Sequence, residues 1–118
     1  MTDAASLIPL NPRDYLILFS LVEERRHGYG IVKHVETGSR GGVRLDPANL
    51  YRSLKRMMAE GLVEETASPP GGDAGADRRK YYRITPLGRD VVELEARRLA
   101  ELTAAARALE LIPGEEPA

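Results

Sequence analysis

Basic and amide side chains cluster on one side of an amphipathic segment near the middle of the chain. Asn49, Arg52, Lys55 and Arg56 lie on or near this side together with Ala48. An amide can pair with the edge of adenine, and a guanidinium with the edge of guanine, each through two hydrogen bonds. These residue types indicate recognition of a nucleic acid, with Asn49 and Arg52 suited to bases and Lys55 and Arg56 suited to phosphates.

The alternative for this cluster is a solvated helix face, which is what most charged helical residues form. The distribution of charge along the chain favours the nucleic acid. The formal net charge is −1, yet residues 25–58 contain eight basic and two acidic residues, whereas residues 84–118 contain four basic and seven acidic ones. A polyanion would therefore meet one basic side of the molecule.

The segment that positions this cluster, residues 44–65, has signals for both ends of a helix. Asp46 can cap the first turn, Pro47 suits the first helical position, and Gly61 ends the helix. The apolar positions recur at spacings of three and four residues and define a buried face. They are Leu50, Leu54, Met57 and Met58. Residues 62–66 then predict a strand.

Two helices precede this segment. Asn11 and Pro12 repeat the cap-then-proline signal, and the helix that follows is apolar nearly all the way round, which indicates contact with a second subunit. Residues 23–27 predict a polar connection. A second helix opens at residues 28–30 and ends at Gly38, with Tyr29, Val32 and Val35 on one face, and residues 43–45 predict a short strand.

A hairpin follows the central helix. Residues 80–84, KYYRI, predict its second strand, with Tyr82 on the face opposite Tyr81 and one of the two tyrosines pointing inward. Residues 67–77, ASPPGGDAGAD, predict a mobile tip. The order of helix, turn, basic helix and hairpin predicts a winged helix-turn-helix.

Thr85 and Pro86 start the longest predicted helix, which extends to about residue 111 with a near-heptad apolar stripe. We therefore predict a mainly α fold with a small β-hairpin: an N-terminal arm (1–10), a winged helix-turn-helix (11–84), a C-terminal dimerisation helix (85–112) and a disordered tail (113–118). The predicted dimerisation residues are Tyr15, Leu18, Phe19, Val22, Leu87, Val91, Leu94, Leu99, Leu102, Ala106 and Leu109.

Several other kinds of site have no support in the sequence. His27 and His34 have no acidic or thiol companion at ligand spacing, so neither a metal site nor a cofactor is expected. The glycine-rich residues 70–80 lack the Gly-Lys-Ser/Thr ending of a phosphate-binding loop. No nucleophile, base and orienting acid form a visible motif, which argues against an enzyme. The absence of cysteine and of a long apolar run predicts a cytoplasmic protein.

Four segments in order resemble the PadR-like family of transcriptional regulators, in its short form with one C-terminal helix. They are residues 27–31 (HGYGI), 50–54 (LYRSL), 60–63 (EGLV) and 79–88 (RKYYRITPLG), within a match that covers residues 12–109. The sequence departs from the family in having Pro47, Ala48 and Asn49 where a small residue, Gly and Thr are common, and in a glycine-rich insertion in the wing.

The resemblance implies a homodimeric winged-helix protein that binds double-stranded DNA, in most cases as a repressor, and that can be released by a small hydrophobic or aromatic effector. Tyr15 and Phe19 are the candidate residues of an effector pocket. The candidate DNA-binding residues are Tyr29, Ser39, Arg40, Ala48, Asn49, Tyr51, Arg52, Lys55, Arg56, Arg78, Arg79 and Lys80.

Three alternatives stay open at this point. Tyr29 and Tyr51 can donate hydroxyls to phosphate or serve as core aromatics. Arg78, Arg79 and Lys80 can enter a minor groove or keep the wing soluble. The whole module can also bind an acidic protein partner through its basic face.

Overall fold

The chain folds into three short helices, a small sheet and a long C-terminal helix in a computed structural model, which describes residues 3–69 and 80–113. The elements are a 3-10 helix (Ala4–Leu7), α1 (Pro12–Ser20), β1 (Arg26–His27), α2 (Gly28–Gly38), α3 (Pro47–Ala59), β2 (Val63–Thr66), β3 (Tyr81–Ile84) and α4 (Pro86–Ala108). This architecture confirms the predicted mainly α fold with a small hairpin.

Three of the helices start with the predicted device of a polar cap followed by proline. The side chains of Asn11, Asp46 and Thr85 accept hydrogen bonds from the backbone N–H three residues later, and proline follows each cap. α2 starts differently, because Nδ1 of His27 accepts from the N–H of Gly30 at 3.0 Å. α3 ends as predicted at Gly61, whose positive φ of 80° reverses the chain.

The sheet contains a strand, β1, that the sequence did not predict. Its order is β1-β3-β2, and both pairs are antiparallel, with Arg26 opposite Tyr82 and Val63 opposite Ile84. Residues 23–27 were predicted to be a polar connection, and this was wrong for Arg26 and His27, which form β1. A strand of two residues has no period of its own, so only the neighbouring β3 makes β1 a strand.

The alternation predicted that one of the two tyrosines of the hairpin points inward, and the structure shows that it is Tyr82. It is buried, whereas Arg83 is exposed and Tyr81 is half-buried. Burial raises the pKa of the Tyr82 hydroxyl, and the nearby Tyr51 and Glu65 add to this shift. The hydroxyl therefore stays protonated at neutral pH.

Two local predictions were wrong. Residues 43–45 form no strand; they are an irregular connection that buries only Leu45. Tyr29 does not share a buried face with Val35, because it is 61% exposed. The core-facing residues of α2 are Ile31 and Val35, one helical turn apart, which leaves Tyr29 in the first turn pointing away from the core.

The core lies between α1, α2, α3 and the first half of α4. Gly88 allows α4 to pack directly against the backbone of Leu62, because a Cβ at this position would lie 2.2 Å from the carbonyl oxygen of Leu62. Leu18 and Val91 were predicted to contact a second subunit, and this was wrong: both are fully buried within the chain's own core. α2 and α4 both pack against α1, and the 3-10 helix packs against α4.

A buried carboxylate joins the N-terminal segment to α4. Glu95 is 1% exposed and accepts a hydrogen bond from the N–H of Leu10 at 2.6 Å and two from the guanidinium of Arg98. The hydrogen bond from Arg98 lowers the pKa of Glu95, burial opposes this shift, and the N–H of Leu10 adds to it. Residues 3–10, predicted as a separate arm, are thus fastened to α4.

Within the described ranges, no helix is long and apolar enough to cross a membrane.

We predict that Glu95→Gln lowers the free energy of unfolding at pH 7 by about 1–3 kcal/mol, because it weakens the hydrogen bonds of a buried charged group. Since the pKa of Glu95 is lowered in the folded protein, its contribution is present above about pH 4.3, the usual pKa of the unfolded group, and is lost as the pH falls through the folded value. Urea unfolding of both proteins from pH 7 to pH 3 measures the difference, which should shrink with acidity.

The control for this experiment is Glu93→Gln, which removes an exposed carboxylate from the same helix. Its effect should stay within about 0.5 kcal/mol across the pH range. A constant difference between wild type and Glu95→Gln at every pH would contradict the role of the Glu95 charge.

Candidate nucleic-acid interface

The outward side of α3 presents the residues that the sequence selected. Ala48, Arg52 and Lys55 are exposed, and Leu50 and Leu54 on the other side are buried. With 3.6 residues per turn, the exposed trio lies opposite the buried face. α3 thus carries a basic strip that faces solvent along its length.

Asn49 and Arg52 are linked to each other and to the helix cap. Nδ2 of Asn49 donates to Oδ2 of Asp46 at 2.9 Å, and Oδ1 of Asn49 accepts from the guanidinium of Arg52 at 3.0 Å. The three side chains form a hydrogen-bonded row with a spacing of three residues. This row orients both candidate base readers before any ligand binds, and each keeps further donors free because an amide and a guanidinium have more than one N–H.

One edge of α3 meets the start of α2. A Cβ on Gly28 would lie 3.1 Å from the hydroxyl of Tyr51, so the glycine permits this close approach. Tyr51 and Tyr29 are 54% and 61% exposed, which excludes the core-aromatic reading of both. The ammonium of Lys33 lies 5.4 Å from the centroid of the Tyr29 ring and places a positive charge beside it.

The opposite edge of α3 is tied to α1 by an ion pair. Both terminal nitrogens of Arg56 donate to Oδ2 of Asp14, at 2.9 and 2.6 Å, and Asp14 is 4% exposed. Oδ1 of Asp14 is buried and has no hydrogen-bond partner among residues 3–69 and 80–113. Arg56 was predicted to bind phosphate, but this geometry assigns its guanidinium to holding α3 against α1.

The connection between α2 and α3 contains two more candidates. Arg40 is exposed at a positive φ of 53°. The Ser39 hydroxyl accepts from the N–H of Val43 at 3.0 Å, so this side chain shapes the turn. The turn therefore presents Arg40 to solvent.

The cations at the base of the hairpin differ from those of α3. Lys80 is exposed and lies 3.7 Å from a carboxylate oxygen of Glu65, and Arg83 donates to Glu64 at 2.6 Å. These pairs partly neutralise the hairpin. Arg78 and Arg79, and residues 70–77 of the predicted tip, lie outside the described residues, as do residues 114–118 of the predicted tail.

A cavity of about 400 Å³ lies between α1 and α4. Its walls are Leu10, Pro12, Tyr15, Leu16, Glu95, Arg98 and Leu99. The lining is mostly apolar, with one charged pair at its side, as in many sites for small molecules. Tyr15 lines it as the effector-pocket prediction required. Phe19 is not among its walls, although its ring centroid lies 6.0 Å from that of Tyr15.

The second half of α4 leaves an apolar stripe uncovered. Leu102 and Leu109 are 53% and 71% exposed, and Leu99 and Ala106 are half-buried on the same side. Phe19 on α1 is 48% exposed. Leu111 and Ile112, which the sequence analysis did not select, extend the stripe beyond the helix with 72% and 37% exposure.

Sequence reasoning missed the roles of Asp14 and Glu95. Each of these acids is bound by a residue far away in the chain. Arg56 is 42 residues from Asp14, and Leu10 is 85 residues from Glu95. The one available signal was a carboxylate on an apolar helix, since a buried acid needs a partner. No three side chains that could hold a metal come together within residues 3–69 and 80–113.

Comparison with known proteins gives a consistent result. Residues 17–94 match the model of the family described as "Transcriptional regulator PadR-like family". The chain is 34% identical over 86 residues to the transcriptional regulator Rv3488 of Mycobacterium tuberculosis, covering 73% of this chain and 74% of that protein. It is also 36% identical over 93 residues to an uncharacterized 37.1 kDa protein in transposon TN4556 of Streptomyces fradiae, a match of 79% of this chain that spans only 24% of that protein.

A crystal structure of a PadR family transcription regulator from Clostridium difficile R20291 has a similar fold. The TM-score is 0.69 at 26% sequence identity, with 84% of this chain and 98% of that chain covered. The winged helix-turn-helix predicted from the order of elements is therefore confirmed.

We predict that Arg56→Ala lowers the free energy of unfolding by about 1–3 kcal/mol, because it leaves the buried carboxylate of Asp14 without its charged partner. The pair is partly solvated, since the Arg56 side chain is 47% exposed, which keeps the loss below that of a fully buried pair. Urea unfolding of the wild type and the variant measures this loss of stability. The control is Lys55→Ala, which removes the neighbouring exposed cation and should change stability by less than about 0.5 kcal/mol. Equal effects would mean that the Arg56–Asp14 pair does not stabilise the fold.

Proposed function

Because this chain belongs to the PadR-like family of transcriptional regulators, we propose that it is a homodimeric repressor that binds a pseudo-palindromic operator in double-stranded DNA, in the cytoplasm. The observation that carries this proposal is the exposed row of Asp46, Asn49 and Arg52 on α3. A major groove admits one α-helix, and amide and guanidinium groups are the donors that pair with adenine and guanine there.

The roles of the individual residues follow from their positions. Asn49 and Arg52 read base edges, whereas Lys55, which is exposed, contacts phosphate. Tyr29 and Tyr51, whose side chains are exposed, donate their hydroxyls to the DNA backbone at the α2 edge. Arg40, exposed in the turn after α2, contacts the DNA backbone as well. In the wing, Lys80 together with Arg78 and Arg79 contacts backbone or minor groove. Residues 11–84 thus form the DNA-binding unit.

Residues 85–112 form the dimerisation unit, helped by α1. The exposed apolar stripe of α4, from Leu99 to Leu109, supports this assignment, because soluble monomers rarely leave a contiguous apolar surface in contact with water. Phe19 on α1 extends the surface. A two-fold pair would place two copies of α3 in successive major grooves about one helical turn apart.

A small hydrophobic or aromatic effector would occupy the cavity between α1 and α4. This site is supported by its apolar walls and by Tyr15, with the Glu95–Arg98 pair available to a polar group of the ligand. α1 also holds Asp14, the partner of Arg56 on α3. A ligand that shifts α1 would therefore move the DNA-binding helix, which is a physical route from effector to operator release.

We expect Arg52→Ala to weaken binding to a selected operator by about 1–3 kcal/mol, or roughly 5- to 150-fold, because one bidentate base contact is lost. Binding to scrambled DNA should change much less. Lys55→Ala should instead weaken both duplexes similarly and reduce the slope of affinity against salt by about 1. Gel-shift titrations at several salt concentrations, with duplexes selected by the wild type from a random pool, measure both effects.

Equal losses for Arg52→Ala on selected and scrambled duplexes would refute base reading by Arg52. If the wild type binds acidic proteins but selects no DNA sequence, the basic face serves protein association instead.

We expect Leu102→Glu to convert the dimer into monomers, because a carboxylate in the apolar interface would have to be desolvated without a partner. Analytical ultracentrifugation measures the oligomeric state, and operator affinity should fall with it because the two half-sites then bind independently. Ala104→Glu is the matched control, since Ala104 is exposed on the opposite side of α4. A stable Leu102→Glu dimer would contradict the proposed interface.

A further inference from the structure

Arg13 and Arg44 are two of five arginines of the described residues that have no hydrogen-bond or ion-pair partner there, the others being Arg40, Arg97 and Arg107. Six of the other described arginines donate to a carbonyl or a carboxylate, and Arg52 donates to Oδ1 of Asn49. The six are Arg25, Arg26, Arg56, Arg83, Arg89 and Arg98. A guanidinium without a partner keeps all five donors for an external ligand.

The two arginines line one groove. Arg13 and Pro12 come from the first turn of α1, Gly42 and Arg44 from the connection before α3, and Asn49 from α3 itself, around a volume of about 400 Å³. Neither arginine was selected by the sequence, since 31 positions separate them and neither lies on the amphipathic helix. The fold alone brings them together.

The two carboxylates nearest in sequence do not neutralise this groove. Asp14 binds Arg56, and Asp46 accepts from the backbone and side-chain nitrogens of Asn49. Each acid is thus occupied by another group. The groove therefore offers two guanidinium groups, and Gly42 adds no side chain that could obstruct an entering ligand.

The position of the groove indicates which ligand would reach it. A helix in a major groove has one sugar-phosphate backbone along each of its two edges. The Tyr51 edge of α3 meets the start of α2, and the Asn49 edge borders this groove. A DNA backbone that follows this edge while Asn49 contacts a base would pass next to Arg13 and Arg44, because they line the same groove as Asn49.

We propose that this groove binds a backbone phosphate of the operator and fixes the register of Asn49 and Arg52 on the bases. The proposal rests on the proposed function, and it adds a second backbone contact to the one at the α2 edge. Guanidinium groups suit this role because their planar donors bind phosphate oxygens in pairs. α1 thereby becomes part of the DNA-binding surface.

The test uses the full chain, a duplex selected by the wild type from a random pool, and a scrambled duplex of the same length. Arg13→Ala and Arg44→Ala should each reduce the slope of log affinity against log salt by about 1 on both duplexes. Ethylation of one particular phosphate in each half-site should block DNA binding by the wild type. The same ethylation should have no effect on DNA binding by either variant. Arg97→Ala, which removes an exposed arginine of α4, is the control and should change neither measurement.

The possible outcomes separate this proposal from the proposed function. If the wild type binds its selected duplex but both variants keep the full salt slope and the same ethylation pattern, the groove does not hold a phosphate. A reduced slope without any change in the ethylation pattern also overturns the proposal, because it indicates only long-range attraction. If the wild type selects no duplex, the proposed function fails and this proposal fails with it. Arg13→Lys and Arg44→Lys should restore much of the slope but not the full affinity.

Discussion

Burial of the apolar side of α3 is the interaction on which the rest of this structure depends. Leu50, Leu54 and Met57 are at most 1% exposed, and burial of each such side chain stabilises the fold by about 1.5–3 kcal/mol. Because a helix is rigid, fixing these three side chains also fixes where Asn49, Arg52 and Lys55 point. Burial of the apolar face of α3 therefore determines where the polar and basic side chains of the opposite face are placed.

The edges of α3 are fixed by different means. Gly28 lets α2 approach Tyr51 closely, which is a steric condition, whereas Arg56 reaches Asp14 through an ion pair whose acid is buried. Loss of this ion pair would be costly, because it would leave a buried carboxylate without its partner. α3 is thus held by apolar packing at its core face and by an ion pair at the edge that meets α1, a helix that also lines the α1–α4 cavity.

α4 divides into two parts with different environments. Its first half belongs to the core, with Gly88, Val91 and Val92 buried, and Glu95 is the last buried residue before the exposed stripe begins. Glu95 also fixes Leu10 and borders the α1–α4 cavity. One carboxylate thus connects the N-terminal segment, the cavity and the start of the proposed dimer surface, so these three features share a common support.

The sequence by itself determined the features whose causes lie within a few residues of one another. The cap-proline starts of α1, α3 and α4 and the end of α3 at Gly61 follow from hydrogen bonds over one to four positions. Strand alternation likewise placed Tyr81 and Tyr82 on opposite faces. The basic side of α3 follows from helical periodicity in the same way.

Only the tertiary structure decided which side chains meet across long separations. It paired β1 with β3, buried Leu18 and Val91 in the chain's own core, and bound Arg56 to Asp14. The physical reason is that a periodic pattern states which side of a helix is apolar or charged but not which element covers it. Arg13 and Arg44 likewise share a groove only because α1 and the connection before α3 pack at the same end of α3.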